Sequence, residues 1–238
     1  MEIKNEHLLR QADLIPDTKL NIPIHIIGCG AIGSFLGLSL AKMGASNLSF
    51  YDFDTVSIEN MSNQFFPASA IGVNKAEALS NMIKAFTVGI DYNYKLNCFP
   101  TKVTPEDVKS MRGIVVLAVD SMEVRKDLFL AMDGVKDIRY IIDPRMSAEH
   151  YMQITTNNNV QESRTRHSKF MYTDGEAVAE RCTAKSTVYT ATLAAGMITK
   201  TIKDILLNAP VPHYVTWSIA NHQQLVKLKE DFYDKDAT

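Results

Sequence analysis

The sequence is poor in the residues that cross-link or metal-staple a chain. Only three cysteines, Cys29, Cys98 and Cys182, occur among 238 residues, and no two form a C-x-x-C pair. An odd, scattered set excludes a readable disulfide framework and a cysteine zinc knuckle, so no zinc site is expected. No stretch approaches the roughly 20 apolar residues that span a bilayer, and the opening "MEIKNEHLLRQADLIPDTKLN" lacks the apolar core of a signal peptide. A cytoplasmic chain with no membrane partner is the expectation. Charge of one sign is also scarce: 25 Lys and Arg against 27 Asp and Glu give a formal net charge of −2. That balance gives no reason to expect nucleic acid as a partner.

What is present suits one α/β domain over residues 1–238, since 46% of the residues are hydrophobic and the length supports a sizeable core. A polar start at 5–13 reads as a short helix inside an N-terminal segment, 1–22. "IPIHIIG" is a buried-strand pattern, "AIGSFLGLSLAKMGA" a helix with Phe35, Leu36, Leu40 and Met43 at helical spacing, and "NLSFYDFD" a second strand. Residues 55–72 are irregular and polar. "NKAEALSNMIKAF" puts Ala76, Leu79, Ile83 and Phe86 on one helical face, and "DYNYKLNCF" follows as a strand. "TPEDVKSM" reads as a short helix capped by Thr104, "GIVVLAV" as a central strand, "DSMEVRKDLFLAMDG" as a helix capped by Ser121, and "RYIID" as a fifth strand. Such alternation predicts a Rossmann-like, mostly parallel doubly wound sheet with ligands at the carboxyl ends of its strands. From about 151 the pattern changes. "YMQITT" is strand-like, 157–181 reads as a crossover loop, a long helix follows, and "YVTWSIANHQQLVKLKE" forms an antiparallel C-terminal extension.

"IIGCGAIG" between strand and helix places Gly28, Gly30 and Gly33 where a tight turn, a close approach of phosphate and close helix packing each need a glycine. The helix start adds anion affinity. Asp52, 19 positions beyond Gly33, suits ribose hydroxyls. NAD and ATP fit these residues equally. The residues beyond them separate the two: Asp54 and Val56, Asn60 and Gln64, Gly72 with Lys75 opening a helix, and Asp120 after a strand.

In that order and register the chain resembles the ThiF/HesA/MoeB family, the bacterial relatives of ubiquitin-activating enzymes. The likeness runs over about residues 8–130, where "LLRQADL" contributes Arg10 and Gln11, with a weaker echo in "ERCTAKSTVYTATLAAGMITKTIKDILL". The resemblance implies an adenylyltransferase that uses ATP and Mg²⁺ and releases pyrophosphate. Its substrate would be the C-terminal glycine of a ubiquitin-like or sulfur-carrier protein, or a peptide. It implies nucleotide contacts from Gly28, Gly30, Gly33, Asp52, Asp54, Asn60, Gln64 and Lys75, a magnesium role for Asp120, and a homodimer in which Arg10 reaches the partner's ATP. The bland readings are a solvated lysine at 75, a second N-cap at 120, a turn-forming asparagine at 60 and a surface charge at 10.

The pattern also departs from the family. Asn63 stands where the family has arginine and cannot neutralise a phosphate; Arg125 is one substitute, a salt bridge its alternative. Ala118 stands where an acid is often found. Cys182, beside Arg181 and Lys185 before the final helix, is the candidate nucleophile for the activated carboxyl group, against an inert buried cysteine. Cys29 reads as a space-filler and Cys98 carries no signal. A non-catalytic nucleotide-binding or scaffold protein is one rival. An NAD-dependent oxidoreductase is another, although none of the six histidines lies in a setting that hydride chemistry would use.

Overall fold

Continuous apolar runs, rather than alternating ones, mark the central strands, because parallel strands covered on both faces bury every side chain. The computed structural model describes residues 6–90, 92–172 and 186–227. Its first strand, β1 (Ile24–Ile27), lies between β2 (Asn47–Tyr51) and β4 (Gly113–Leu117), with β3 (Lys95–Phe99) beyond β2 and β5 (Ile138–Ser147) beyond β4. All four of these pairings are parallel. Three antiparallel strands complete the eight-stranded sheet, β6 (His150–Asn157), β7 (Tyr214–Ser218) and β8 (Gln223–Lys227). The expected doubly wound sheet with an antiparallel C-terminal extension is therefore the fold.

Helices cover both faces. α1 (Ala31–Met43), α2 (Lys75–Thr87) and α5 (Val188–Leu206) pack over one core, which takes Ile24 and Ile26 from β1 and Ile114 and Val116 from β4. α3 (Met122–Ala131) covers the other, which takes Ile27, Val115 and Leu117 from the same strands. Alternate residues of one strand thus feed opposite cores. α1 and α2 approach closely because Gly37 has no side chain; a Cβ there would sit 2.8 Å from Leu79 Cδ2. Between β1 and β4 the winding reverses, which opens a crevice at their carboxyl ends.

Several elements differ from expectation. The 157–181 loop contains a helix, α4 (Gln161–Ser168), whose buried residues are Ser163, Arg164, Arg166 and His167. With a polar buried face it offers no apolar period to read. The expected N-terminal helix is a 3-10 turn, Glu6–Gln11, and "TPEDVKSM" yields a 3-10 turn, Asp107–Ser110. Here Asp107 reaches back to accept from the Thr104 N–H and hydroxyl, so the expected cap works in reverse. Phe86 does not join the core face of α2: it is 49% exposed, stacks on Phe65 and lies under Lys42. The final strand-like stretch splits into β7 and β8 across a turn in which His222 adopts φ 52°.

Candidate nucleotide cleft

Each glycine of the first turn has a different physical reason. Gly28, at φ +96°, packs so tightly on β4 that a Cβ would lie 2.5 Å from the Ala118 carbonyl oxygen. At Gly33 a Cβ would lie 2.0 Å from the Gly28 carbonyl oxygen, so α1 could not begin so close to the turn. Gly30 is different. A Cβ there would meet nothing nearer than Gln64 Nε2 at 3.9 Å. The first two glycines are required by packing, whereas the third keeps a cradle open. That cradle belongs to a cleft of about 1550 Å³ over the ends of β1, β2, β4 and β5.

Asp52 holds the cradle's shape. One carboxylate oxygen accepts from the Cys29 N–H at 2.7 Å, the other from the Asp54 N–H at 2.9 Å. Burial pushes its pKa up, and those two N–H groups and Lys75 oppose the shift. Asn74, the N-cap of α2, accepts from the Ala76 and Glu77 N–H groups and donates to the Asp52 and Asp54 carbonyls. One residue therefore fixes both the acidic strand end and the start of the helix that carries Lys75. The ammonium of Lys75, nearly buried, meets Asp54 at 3.0 Å.

Asp120 is exposed at the rim, after β4, and Ser121 caps α3 by accepting from the Val124 N–H. Lys75 and Asp120 thus flank the glycine turn from the β2 and β4 sides. Asn60 is engaged locally, its side-chain oxygen accepting from the Ser57 N–H at 3.1 Å in a capping box. Asn63 and Gln64 line the cleft, and each has a buried side-chain oxygen without a partner among the described residues. The Asn63 amide donates to the Ser186 hydroxyl, tying this wall to the stretch that leads into α5.

Arg10 is not brought to this cleft. Its neighbour Gln11 donates to the Met43 carbonyl at the far end of α1, and thirteen helical residues put that end about 20 Å from the turn. Cys182, with Arg181 and Lys185, lies outside the described residues. Cys29 is fully buried and burial pushes its thiol pKa well up, the state of a packing residue and not of a thiolate.

Arg125 does not take the place of the missing phosphate arginine. Its guanidinium is buried against Asp143 and donates to the Leu117 carbonyl at 2.6 Å and to that of Val119. The salt-bridge alternative holds: Arg125 borders the cleft, but its guanidinium is committed to three backbone carbonyls and a carboxylate. Asp143 also receives Arg145 and His167. This group escaped sequence reasoning. The rule that drew attention to Asp52 and Asp120, an acid at a strand's carboxyl end, applies equally to "RYIIDPR" and would have found it.

A doubly wound sheet with an open glycine cradle, an acid on the turn and a lysine at the next helix defines a nucleotide-binding domain of the Rossmann type. The chain belongs to the ThiF family, whose model matches residues 17–231. It is similar to ubiquitin-like modifier-activating enzyme 5 of Oryza sativa subsp. japonica, 29% identical over 114 residues covering 43% of this chain and 27% of that protein. It is also similar to the NEDD8-activating enzyme E1 catalytic subunit of Caenorhabditis elegans, 30% identical over 131 residues covering 51% of this chain and 30% of that one. The matches thus span less than a third of those relatives. In fold, E. coli MccB crystallised with ATP superposes with a TM-score of 0.74 at 14% identity, covering 94% of this chain and 72% of that one. PaaA superposes with a TM-score of 0.70 at 17% identity, covering 89% of this chain and 74% of that one.

Proposed function

We propose that the chain adenylates a carboxylate: a carboxylate oxygen attacks the α-phosphorus of ATP, the bond to the β-phosphate's bridging oxygen breaks, and pyrophosphate leaves. The observation that carries this reading is the open cradle at Gly30 flanked by Lys75 on one side and Asp120 on the other. Attack by one anion on another needs positive charge held in place before the reaction, and a hydride-transfer enzyme has no use for that pair. The unpartnered oxygens of Asn63 and Gln64 suit ligand donors such as ribose hydroxyls or amide N–H groups. Among the described residues no group of three or more His, Cys, Asp or Glu forms a metal cage. Magnesium commonly uses one or two carboxylates together with substrate phosphates. Asp120 would hold it, and bound there the ion supplies charge neutralisation to the departing pyrophosphate.

The relatives support a ubiquitin-like protein or a peptide as the substrate class, and the resemblance narrows this to the C-terminal carboxylate of a ubiquitin-like or sulfur-carrier protein, or of a peptide. Arg10, a helix length from its own cleft, can serve a nucleotide only in a second copy, so its role requires a homodimer. ATP–pyrophosphate exchange with candidate carboxyl substrates tests the proposal. Lys75→Ala and Asp120→Ala are expected to abolish exchange while far-UV circular dichroism and melting stay those of the parent chain. Unchanged exchange in both variants overturns the residue roles. Tight ATP binding without exchange on any carboxylate favours the non-catalytic reading, to which the uncharged Asn63 lends support.

A further inference from the structure

One charged cluster facing the cleft plays no part in the nucleotide site. Asp143, on β5 and without exposed side-chain surface, receives Arg125 on one oxygen, and on the other Arg145 Nη2 at 2.7 Å and His167 Nε2 at 3.0 Å. Two guanidinium groups therefore meet one carboxylate, and among the described residues neither has a second acidic partner. Burial lowers the pKa of His167, so the imidazole is neutral at pH 7. The cluster carries a surplus positive charge. An uncompensated charge held out of water is unfavourable, and an incoming anion relieves it.

The two arginines are not equivalent. Arg125 is enclosed by backbone carbonyls, as described above. Both border the cleft, but Arg145 is the more exposed of the two and makes only one bond to a backbone carbonyl. Its Nε and Nη2 face Asp143, and its Nη1 donates to the Phe170 carbonyl at 2.9 Å. Of the five N–H donors of a guanidinium, those on Nε and Nη2 that face Asp143 and the one on Nη1 that meets Phe170 are taken. The second on Nη2 meets the Met171 sulfur at 3.9 Å, a weak acceptor that a carboxylate oxygen would outcompete. The Nη1–Nη2 edge of a guanidinium matches the two oxygens of a carboxylate. The Tyr172 ring, 5.6 Å from the guanidinium carbon, backs the group and limits its swing.

Location separates this anion site from the phosphate cradle. The glycine turn follows β1, whereas Arg145 lies on β5, two strands away across β4, or about 10 Å at ordinary strand spacing. Lys75 is on the opposite side of the turn. An anion on Arg145 therefore sits beside the nucleotide and not beneath it.

We propose that Arg145 is the carboxylate-binding residue of this cleft, its Nη1–Nη2 edge receiving the terminal carboxylate of the acyl substrate in place of the Met171 sulfur while Asp143 and Phe170 hold the guanidinium in place. The inference rests on the adenylation reading and deepens it: the substrate must present a free carboxylate to a fork, so an amide-capped end is refused.

The test uses the full chain with α,β-methylene-ATP and two sets of acetyl-dipeptides, one with free C-terminal carboxylates and one with the same ends as amides, binding being read by NMR titration. The parent chain is expected to bind the acids at least about tenfold more tightly than the amides. Arg145→Gln should erase that preference and leave nucleotide affinity within about twofold. Arg145→Lys keeps the charge without the fork and should restore only part of the preference. Should the glutamine variant fail to fold, the lysine variant decides the matter by the same ratio. Loss of nucleotide affinity with the acid preference intact assigns Arg145 to the phosphates and overturns the proposal, as does a parent chain without any preference. Failure of the parent chain to bind the nucleotide analogue sinks the adenylation reading instead, while an acid preference that Arg145→Gln abolishes still upholds the anion site.

Discussion

Replacing Gly30 by alanine separates what the fold needs from what the ligand needs. A methyl group at this position meets Gln64 Nε2 at 3.9 Å and nothing closer, an ordinary van der Waals contact. Gly30 is the N-cap of α1 at φ −75°, so no left-handed strain is added. The expected loss of stability is that of a poorer N-cap, about 1 kcal/mol. Gly33→Ala, by contrast, drives its methyl to 2.0 Å from a backbone oxygen that the turn itself holds in place, and the chain should lose most of its stability. In the ligand-bound state the order reverses in importance. The Gly30 methyl then occupies space that a phosphate would take, and a loss of at least about 1.4 kcal/mol, tenfold in affinity, is expected. Urea denaturation gives the stability and calorimetric titration with MgATP gives the affinity. A Gly30→Ala chain that binds MgATP like the parent would refute the cradle. One that loses more than about 3 kcal/mol would show that the position is a packing glycine after all.

Two further outcomes follow from buried charge. Arg125→Met leaves the Leu117 and Val119 carbonyls and Asp143 short of a donor; because Arg145 and His167 still serve Asp143, the loss should fall near the low end for a broken buried pair, about 3 kcal/mol in urea denaturation. Lys109→Ala, which removes only an exposed pair with Glu106, should change stability by less than about 0.5 kcal/mol, and a similar loss in both would contradict the burial argument. Burial lowers the pKa of His25 and of His213 to about 4, and lowers that of His167 as well. His25 and His213 are neutral in the native state and protonate near pH 6.5 once unfolded, so the stability they contribute is full above pH 6.5 and is lost as pH falls toward 4, and His167 acts in the same direction. The slope is at most about 1.4 kcal/mol per pH unit per histidine, and a denaturation midpoint unchanged between pH 7 and pH 5 would refute it.

The parts of the fold that were legible in the sequence are those whose burial is apolar. "IPIHIIG" and "GIVVLAV" are strands of mostly apolar residues, and Gly28 and Gly33 between strand and helix mark a turn that no larger residue tolerates there. Asp52 and Asp120 were legible because parallel strands deliver their following residues to one edge, and Lys75 because the family resemblance puts a lysine at that helix start. Helix α4 was not, since its inner face is built from Ser163, Arg164, Arg166 and His167, and two of these find ion partners outside the helix and its flanks: Asp133 for Arg164 and Asp143 for His167. Burial there is by ion pair and hydrogen bond, and no apolar period records it. Phe86 misled for the opposite reason: the period was right, but the last turn of α2 runs past the core, and the ring finds Phe65 and Lys42 outside it.

The same distinction explains the cleft's charge. Reading residue 63 alone suggests a weakened site, because asparagine has replaced a cation. In the folded chain Asn63 serves as a strut to Ser186, and the cations stand elsewhere: Lys75 on the β2 side and Arg145 on the β5 side. Each is held by an acid, Asp54 or Asp143, that fixes the direction of its donors. Asp54 is half exposed and balances Lys75 one to one, whereas Asp143 is shared between two guanidinium groups and leaves Arg145 only partly neutralised. The stronger unmet demand for an anion is therefore on the side away from the glycine turn, where the carboxylate and not the triphosphate would approach.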